Sequence, residues 1–349
     1  MAVDAMRLRD ALIHALAGGP AVALTSITDH EVPDEIALII QTGGTTGAPR
    51  SVALSAAALR ASADASNERL GATAKDRWSL HLPLNHIAGV NQLLRSIALG
   101  TDPVSRGAQF ISIVPTQLHR ALRDSADLLD QLRNARSVLI GGAQVPESLL
   151  DQGLAAGINL VTSYGMTEMC GGCVFDGIPL AGVQAKVVAS GQLALSGPMR
   201  AAGYLHDGII ESNGAFTGDW FITSDLGSIT SDGRVHIVGR NDDVIISGGE
   251  KISTTRVAEF LQSAFPNIEV YAVGVPDEQW GESLRIVIVN SQQAKQITLR
   301  ELRSLVAESI GRAAAPGSLL LLDEMPLKAN GKIDFAFLIG AAATEIYQG

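Results

Sequence analysis

The chain has 349 residues, long enough for two domains, one of them large. Hydrophobic residues make up 46% and charged residues 18%, a soluble globular balance, and no apolar run reaches membrane-spanning length. A formal net charge of −10 with no basic tract argues against nucleic acid and anionic membranes as partners, so an anionic substrate would be drawn in by a few local cations.

The N-terminal stretch MAVDAMRLRDALIHALAGGP has an apolar face from Met6, Leu8, Leu12, Ile13 and Leu16, carries Asp4 and Asp10, and lacks a signal-type cleavage region. It reads as a surface helix capped by Gly18-Gly19-Pro20, in a protein of the cytoplasm. Strand-like and helix-like runs then alternate: EIALIIQT, a helix opened by Ser55, WSLHLPL, HIAGVNQLLRSIALG, QFISIVP, TQLHRALRDSADLLDQL, SVLIGG, PESLLDQGLAAG and INLVTSYG. Short apolar strands between amphipathic helices predict βα units around a mostly parallel, buried sheet. From about Val183 the rhythm shifts to short strands, with TSDGRVHIVG reading as a hairpin through Asp232-Gly233. A smaller α+β unit follows, with helices TTRVAEFLQSAF and LRELRSLVAESIG, strands EVYAVGV, LRIVIV and SLLLLDEM, and a closing helix. The expected class is α/β, with a large N-terminal domain of layered sheets and helices over 1–240 and a small α+β domain over 241–349.

Several polar or glycine-rich clusters fall at the C-terminal ends of predicted strands, where open α/β sheets place ligands. The first is QTGGTTGAPRS, residues 41–51, whose glycines and hydroxyls suit a phosphate cradle, although a flexible surface turn is the competing reading. It is not a Walker loop, because Pro49 and Arg50 stand where that pattern needs Gly-Lys. Next come Gly141-Gly142-Ala143 and SYGMTE at 163–168, then TSDLG, GRNDD, SGGEKI and NGKID. Cys170 and Cys173 could be a redox pair or half a zinc site, but the nearest histidines lie more than thirty residues away, which favours structural small residues.

Taken in order, these motifs resemble the superfamily of adenylate-forming enzymes: acyl- and aryl-CoA synthetases, firefly luciferases and peptide-synthetase adenylation domains. The resemblance runs from about residue 36 to 334 and implies ATP, Mg²⁺ and coenzyme A as cofactors, with a carboxylic acid as substrate. It implies that Thr42, Gly43, Gly44, Thr45, Thr46 and Gly47 hold the β- and γ-phosphates, with Arg50 acting beside them. Gly141, Gly142, Ala143, Ser163, Tyr164 and Gly165 resemble the adenine-binding segments. Thr167 would contact the α-phosphate and Glu168 would bind Mg²⁺. Asp225 resembles the carboxylate that grips the ribose hydroxyls, and Arg240 its partner near ribose and phosphate. Asp242 matches the hinge about which a mobile small domain turns, Gly248 and Gly249 a passage for the pantetheine arm, and Lys332 the lysine that reaches the reacting carboxylate. Departures from the family are Pro49-Arg50-Ser51 for Pro-Lys-Gly, Thr223-Ser224-Asp225 for Thr-Gly-Asp, TTRVAEFL after GGEKIS, and a phosphate loop that begins only at residue 42.

For the substrate, LPLNHIAGVNQLLRSIALG places His86, Gly89 and Arg95 on one helix after a strand. His86 read alone is a polar residue near a helix start; Arg95 is the sharper signal, read either as a cation in the acyl pocket, for which a fatty-acid enzyme has no use, or as a surface arginine near a helix end. The stretch is similar to o-succinylbenzoate–CoA ligases of menaquinone biosynthesis, in their compact actinobacterial type, where a basic residue at the position of Arg95 meets a substrate carboxylate. The expected function is therefore ATP-dependent ligation of CoA to o-succinylbenzoate through an acyl-adenylate. The alternatives are another aryl- or short-chain acyl-CoA synthetase, or a nucleotide-binding homologue that has lost ligation. Oligomeric state stays open between monomer and homodimer.

Overall fold

A computed structural model describes residues 2–24, 31–42, 50–240, 243–265, 268–289, 297–327 and 333–347. These fall into two compact units. The first holds the chain up to Thr223 and Ser228–His236; the second holds Ser224–Gly227 and the described residues from Ile237 onward.

The first unit runs α1 (Ala2–Leu16), β1 (Val22–Leu24), β2 (Ile36–Thr42), β3 (Arg50–Ser55), α2 (Ala56–Leu70), α3 (Ile87–Ala98), β4 (Phe110–Ile113), α4 (Pro115–Arg123), α5 (Ala126–Asn134), β5 (Ser137–Gly141), α6 (Glu147–Ala155), β6 (Leu160–Met166), β7 (Gly171–Phe175) and β8 (Ile178–Pro179). It continues through β9 (Gln184–Val187), β10 (Gln192–Ser196), β11 (Gly203–His206), β12 (Ile209–Glu211) and β13 (Phe216–Thr217) to the hairpin of β14 (Trp220–Ile229) and β15 (Val235–Arg240), within which the chain passes to the second unit. One sheet is ordered β1-β2-β3-β11-β12 and a second β4-β5-β6-β7-β8, while β13, β14, β10 and β9 form a third with β15 paired to β14.

The expectation of a mostly parallel sheet is corrected here. Among the strand pairs with a described register in this unit, β1–β2, β4–β5 and β5–β6 are parallel, as are the isolated bridges Trp78↔Phe110 and Ser79↔Val104, and the others are antiparallel. The reason is local: β3 follows the glycine-threonine loop and folds back on β2, from Thr42↔Arg50 to Ile36↔Ser55, so a hairpin stands where a strand-to-helix crossover is expected. Ser55 then caps α2 as its position suggests, accepting from the Ala58 N–H at 3.1 Å. The helix α1 is less of a surface element than its charges imply: Leu12 and Leu16 are buried with Ala5 and Ala15, and only Met6 and Ile13 of the apolar set are exposed.

The run WSLHLPL makes only two isolated bridges, Trp78↔Phe110 and Ser79↔Val104. Side chains satisfy the backbone that a ladder would otherwise hold: Gln92 Oε1 accepts from the His81 N–H at 3.1 Å, and Gln117 Nε2 donates to the His81 carbonyl at 3.1 Å. TQLHRALRDSADLLDQL is two helices, α4 and α5, broken at Asp124-Ser125.

The second unit contains β16 (Val244–Ser247), β17 (Glu250–Ser253), α7 (Thr254–Ala264), β18 (Glu269–Asp277), β19 (Gly281–Val289), α8 (Leu299–Ser309), β20 (Ser318–Leu322), α9 (Phe335–Gly340) and β21 (Glu345–Ile346). Its sheet is ordered β17-β16-β19-β20-β21 with β18 on β19. Val257 and Leu261 of α7 and Leu302 and Val306 of α8 bury against Leu284, Ile286 and Ile288 of β19. The buried Arg285 donates to the carbonyls of Leu338 at 2.9 Å and Ala341 at 2.7 Å, and so closes the C-terminal end of α9.

Candidate active site

The loop between β2 and β3 is anchored at both ends, because Thr42 pairs with Arg50 and its Oγ1 donates to the Arg50 carbonyl at 3.3 Å. Gly43, Gly44, Thr45, Thr46 and Gly47 lie outside the described residues. Arg50, at the far end, has a side chain that is 60% exposed, and its guanidinium lies over the Tyr204 ring at 4.3 Å from the centroid.

Glu168 lies beside it. SYGMTE is the end of β6 and the turn of a β6–β7 hairpin, with Thr167–Met169 in one 3-10 turn and Cys170 left-handed at φ 54. Glu168 is 6% exposed; its carboxylate accepts from the Tyr204 hydroxyl at 2.8 Å and stands 4.0 Å from Arg50 Nη2. Burial pushes the Tyr204 hydroxyl above its usual range, and the Glu168 charge adds to this. Thr167 is half-buried at the start of the same turn. Tyr204 is a residue that the sequence reading missed; its signal is the Gly-Tyr step opening β11.

The two segments expected to bind adenine come together through parallel pairing of Gly141 with Ser163, at strand ends where Gly142 and Ala143 are exposed and Ser163, Tyr164 and Gly165 half-buried. Two glycines are dictated by close approach. A Cβ at Gly141 would lie 2.3 Å from the Ser163 carbonyl oxygen, and one at Gly165 would lie 1.9 Å from that of Gly171.

The helix α3 begins at His86, which occupies the N-cap position without a side-chain capping bond and is half-buried. Gly89 abuts the preceding loop, where a Cβ would lie 2.0 Å from the Pro83 carbonyl oxygen. Arg95 is not the surface residue that its place near a helix end allows: it is 4% exposed, with its guanidinium 4.7 Å from the Trp78 ring centroid. Among the described residues its side chain makes one hydrogen bond, from Nη1 to Ser112 Oγ at 3.4 Å, and its buried Nε has no partner. Among the described residues no carboxylate forms an ion pair with it, and burial pushes its pKa down to about 10, which leaves it charged at neutral pH. One helical turn earlier, Asn91 Nδ2 donates to the Cys170 carbonyl at 2.8 Å, which ties α3 to the turn of Thr167 and Glu168. Cys170 and Cys173 are free and fully buried; desolvation raises both thiols, Cys173 to about 12, which suits inert packing residues.

In the second unit Arg240 Nη1 stands 3.9 Å from Asp225 Oδ1. Gly248 and Gly249 are the central residues of a two-residue hairpin turn between Ser247 and Glu250, both left-handed at φ 58 and 86. Trp280 covers Gly248, where a Cβ would lie 2.8 Å from its ring. Asp242 and Lys332 lie outside the described residues.

No group of three or more His, Cys, Asp or Glu among the described residues could hold a metal ion. A single buried carboxylate such as Glu168 fits Mg²⁺ of the kind that is held by one carboxylate plus substrate phosphates. Among the described residues no helix is long and apolar enough to cross a membrane.

Comparison with known proteins matches this arrangement. The model of the AMP-binding enzyme family matches residues 11–205, and that of the AMP-binding enzyme C-terminal domain matches residues 263–332. A probable 2-succinylbenzoate–CoA ligase of Mycobacterium tuberculosis (strain H37Rv) is 35% identical over 95% of this chain and 94% of its own length. A 2-succinylbenzoate–CoA ligase of Listeria monocytogenes serotype 4b is 29% identical over 93% of this chain and 76% of its own. The solved o-succinylbenzoate CoA synthetase of Bacillus subtilis, in complex with the acyl-adenylate intermediate OSB-AMP, superposes with a TM-score of 0.72 at 28% identity, covering 89% of this chain and 70% of that one. The first model alone spans more than half of the sequence and takes in the anchored loop, the Glu168 turn and α3 with Arg95, so the chain belongs to the AMP-binding enzyme family.

Proposed function

We propose that this protein ligates coenzyme A to 2-succinylbenzoate through an acyl-adenylate made from ATP. The observation that carries the reading is Arg95, a charged guanidinium that is almost fully buried with no carboxylate partner among the described residues. An unpaired buried charge is costly, and a second carboxylate on the substrate supplies the missing partner. Asn91 and Arg95 are four residues apart on α3, so the two stand about 6 Å apart along the helix axis. Asn91 touches the turn of Thr167 and Glu168, which supports activation of one carboxylate at that turn while Arg95 holds the other. The names of the relatives in Mycobacterium tuberculosis, Listeria monocytogenes and Bacillus subtilis support the same substrate.

The chemistry suits these groups. An ionised carboxylate is already a nucleophile at neutral pH and needs no general base to attack the α-phosphorus. It needs positioning and charge neutralisation, from the N–H groups and hydroxyls of the loop after Thr42, from Arg50, and from Lys332 near the reacting carboxylate. Glu168 would hold Mg²⁺, which supplies charge neutralisation to the phosphates. Asp225 and Arg240, already paired, would receive the ribose. The CoA thiol then attacks the acyl carbon, the acyl–phosphate bond breaks and AMP leaves. In this reading the domain of residues 241–349 turns about Asp242 between the two steps, and the Gly248-Gly249 turn lets the pantetheine arm pass close to the backbone.

Pyrophosphate release with ATP and Mg²⁺ across a panel of carboxylic acids tests the reading. 2-Succinylbenzoate is expected to give the highest kcat/KM, and thioester is expected on adding CoA. Equal turnover of an aromatic monocarboxylate would move the assignment to another aryl-CoA synthetase, and no release with any acid would leave nucleotide binding alone.

A further inference from the structure

The segment Ala201–Tyr204 holds Glu168 at two points. The Ala201 N–H donates to the Glu168 carbonyl at 2.9 Å, and the Tyr204 hydroxyl donates to Glu168 Oε1 at 2.8 Å. The segment is itself fixed in register, because Tyr204 pairs with Val52 of β3 on one side and Glu211 of β12 on the other. Slippage is further blocked at Gly203, where a Cβ would lie 2.4 Å from the Glu211 carbonyl oxygen. The Tyr204 ring also has two neighbours: Phe216 packs against it at 5.2 Å, and the Arg50 guanidinium lies over it at 4.3 Å. Among the described residues the ion pair to Oε1 is with Arg50 Nη2 at 4.0 Å, on a side chain that is 60% exposed.

We propose that Tyr204 is a positioning residue for the adenylation step: its hydroxyl fixes one rotamer of Glu168 and commits Oε1, leaving Oε2 as the oxygen that takes the divalent cation. Its ring meanwhile holds Arg50 beside Glu168 until the phosphates draw it away. This rests on the reading of Glu168 as the carboxylate that holds Mg²⁺. A rotamer fixed in advance binds a cation more tightly, because the side chain loses less freedom on binding.

The test is Mn²⁺ titration of the full chain with a non-hydrolysable ATP analogue, with free Mn²⁺ read by electron paramagnetic resonance, alongside the Mg²⁺ dependence of pyrophosphate release. Tyr204→Phe removes the hydroxyl, with its bond to Glu168 and its interaction with Arg50, and keeps both ring contacts. It is expected to weaken Mn²⁺ binding roughly tenfold, as loss of a hydrogen bond to a charged acceptor implies. The Mg²⁺ concentration for half-maximal rate should rise in step, with a smaller change at saturating Mg²⁺ and none in thioester formation from supplied acyl-adenylate. In a Glu168→Gln background, Tyr204→Phe should add nothing. Unchanged Mn²⁺ affinity in Tyr204→Phe, with Glu168→Gln impaired, overturns the role of Tyr204 alone. Wild-type Mn²⁺ affinity in Glu168→Gln overturns the reading of Glu168 as well. Equal loss in both half-reactions at unchanged Mn²⁺ affinity makes Tyr204 a packing residue and likewise overturns the proposal.

Discussion

Asn91 and Cys170 lie 79 positions apart in sequence, yet the amide of one donates to the carbonyl of the other at 2.8 Å in the core. The bond joins α3, which carries Arg95, to the turn that carries Thr167 and Glu168, and Ser62 Oγ donates to the same carbonyl at 3.2 Å. Asn91→Ala is therefore expected to cost about 0.5–1.5 kcal/mol in stability, as loss of one hydrogen bond whose acceptor keeps another donor does. Ser62 still satisfies the carbonyl, so the fold survives while the register between helix and turn loosens. The expected sign is a fall in kcat/KM for the acid that exceeds the change in the KM for ATP. Steady-state kinetics with each substrate varied in turn measures it, and an equal effect on both would detach Asn91 from the acyl site.

Two glycines differ in what they permit. At Gly89 a Cβ would meet the Pro83 carbonyl oxygen at 2.0 Å, so Gly89→Ala forces α3 away from the loop before it. About 3 kcal/mol of destabilisation is expected, the upper end for overpacking. At Gly142 the nearest atom to a Cβ is Val114 Cγ1 at 3.5 Å, and only the left-handed backbone at φ 81 resists substitution. Gly142→Ala should cost about 1–2 kcal/mol. Urea unfolding midpoints of the two variants should rank in that order.

Much of this was legible in the sequence, and what was not has a common cause. Pattern placed α2, α3, α7, α8 and the strands β2, β4, β5, β6, β18, β19 and β20: helices such as α7 and α8 repeat their buried residues at helical spacing, while β2, β4 and β5 are short apolar runs buried on both faces. The strand β3 was missed: six residues, RSVALS, run straight into a helix cap, and its antiparallel pairing to β2 is fixed by a loop whose composition says nothing about direction. WSLHLPL looks like a strand, but it bridges backbone only at Trp78 and Ser79, and at His81 the partners are the side chains of Gln92 and Gln117, which no local pattern reveals. At the site, ordered motifs pointed to Arg50, Thr167 and Glu168, whereas Tyr204 reaches Glu168 across 36 positions through sheet register. The sequence left Arg95 open between a cation in an acyl pocket and a surface arginine near a helix end, and its burial excludes the second.

His81 gives a pH dependence with a definite sign. Burial lowers its pKa below 6.5, with Gln131 and Asp127 opposing that shift only in part. The unfolded chain therefore binds the proton more readily than the folded one, and stability is lost as pH falls from 6.5 through the lower folded value. His81→Gln keeps the backbone bonds to Gln92 and Gln117 and removes the titrating group. Unfolding free energies measured from neutral to mildly acidic pH should fall less steeply for the variant. Parallel curves would show that other groups set the acid limb.

The Gly248-Gly249 turn can be probed where folding is least disturbed. A Cβ at Gly249 has no atom within 4 Å, so Gly249→Ala meets only the backbone cost of φ 86, about 1–2 kcal/mol. If the turn lies along the path of the pantetheine arm, the added methyl should slow thioester formation from supplied acyl-adenylate by tenfold or so, a loss of about 1.4 kcal/mol. Adenylate formation should keep its rate. Should both half-reactions run as in the wild type, the glycines serve the hairpin and nothing more.

Arg95 separates stability from activity, and that separation decides its role. Its guanidinium is buried and, among the described residues, makes one hydrogen bond of 3.4 Å and lacks a partner at Nε, so in the absence of substrate it is a cost to the fold. Met is of similar length, carries no charge and keeps a contact with the Trp78 ring, which the guanidinium now faces at 4.7 Å. Arg95→Met is therefore expected to leave the unfolding midpoint unchanged or to raise it. The same change should lower kcat/KM for 2-succinylbenzoate on the order of a hundredfold or more, because the second carboxylate is then buried without its cation. A neutral analogue lacking that carboxylate should lose little further on the variant, and ATP binding should be unaltered. Arg95→Lys should recover part of the activity by restoring charge without the two-pronged guanidinium geometry. Unfolding midpoints and kcat/KM for both substrates on the three proteins settle the matter. A drop in midpoint together with equal losses on both substrates would make Arg95 a packing residue on Trp78, and would take away the main physical support for a dicarboxylate.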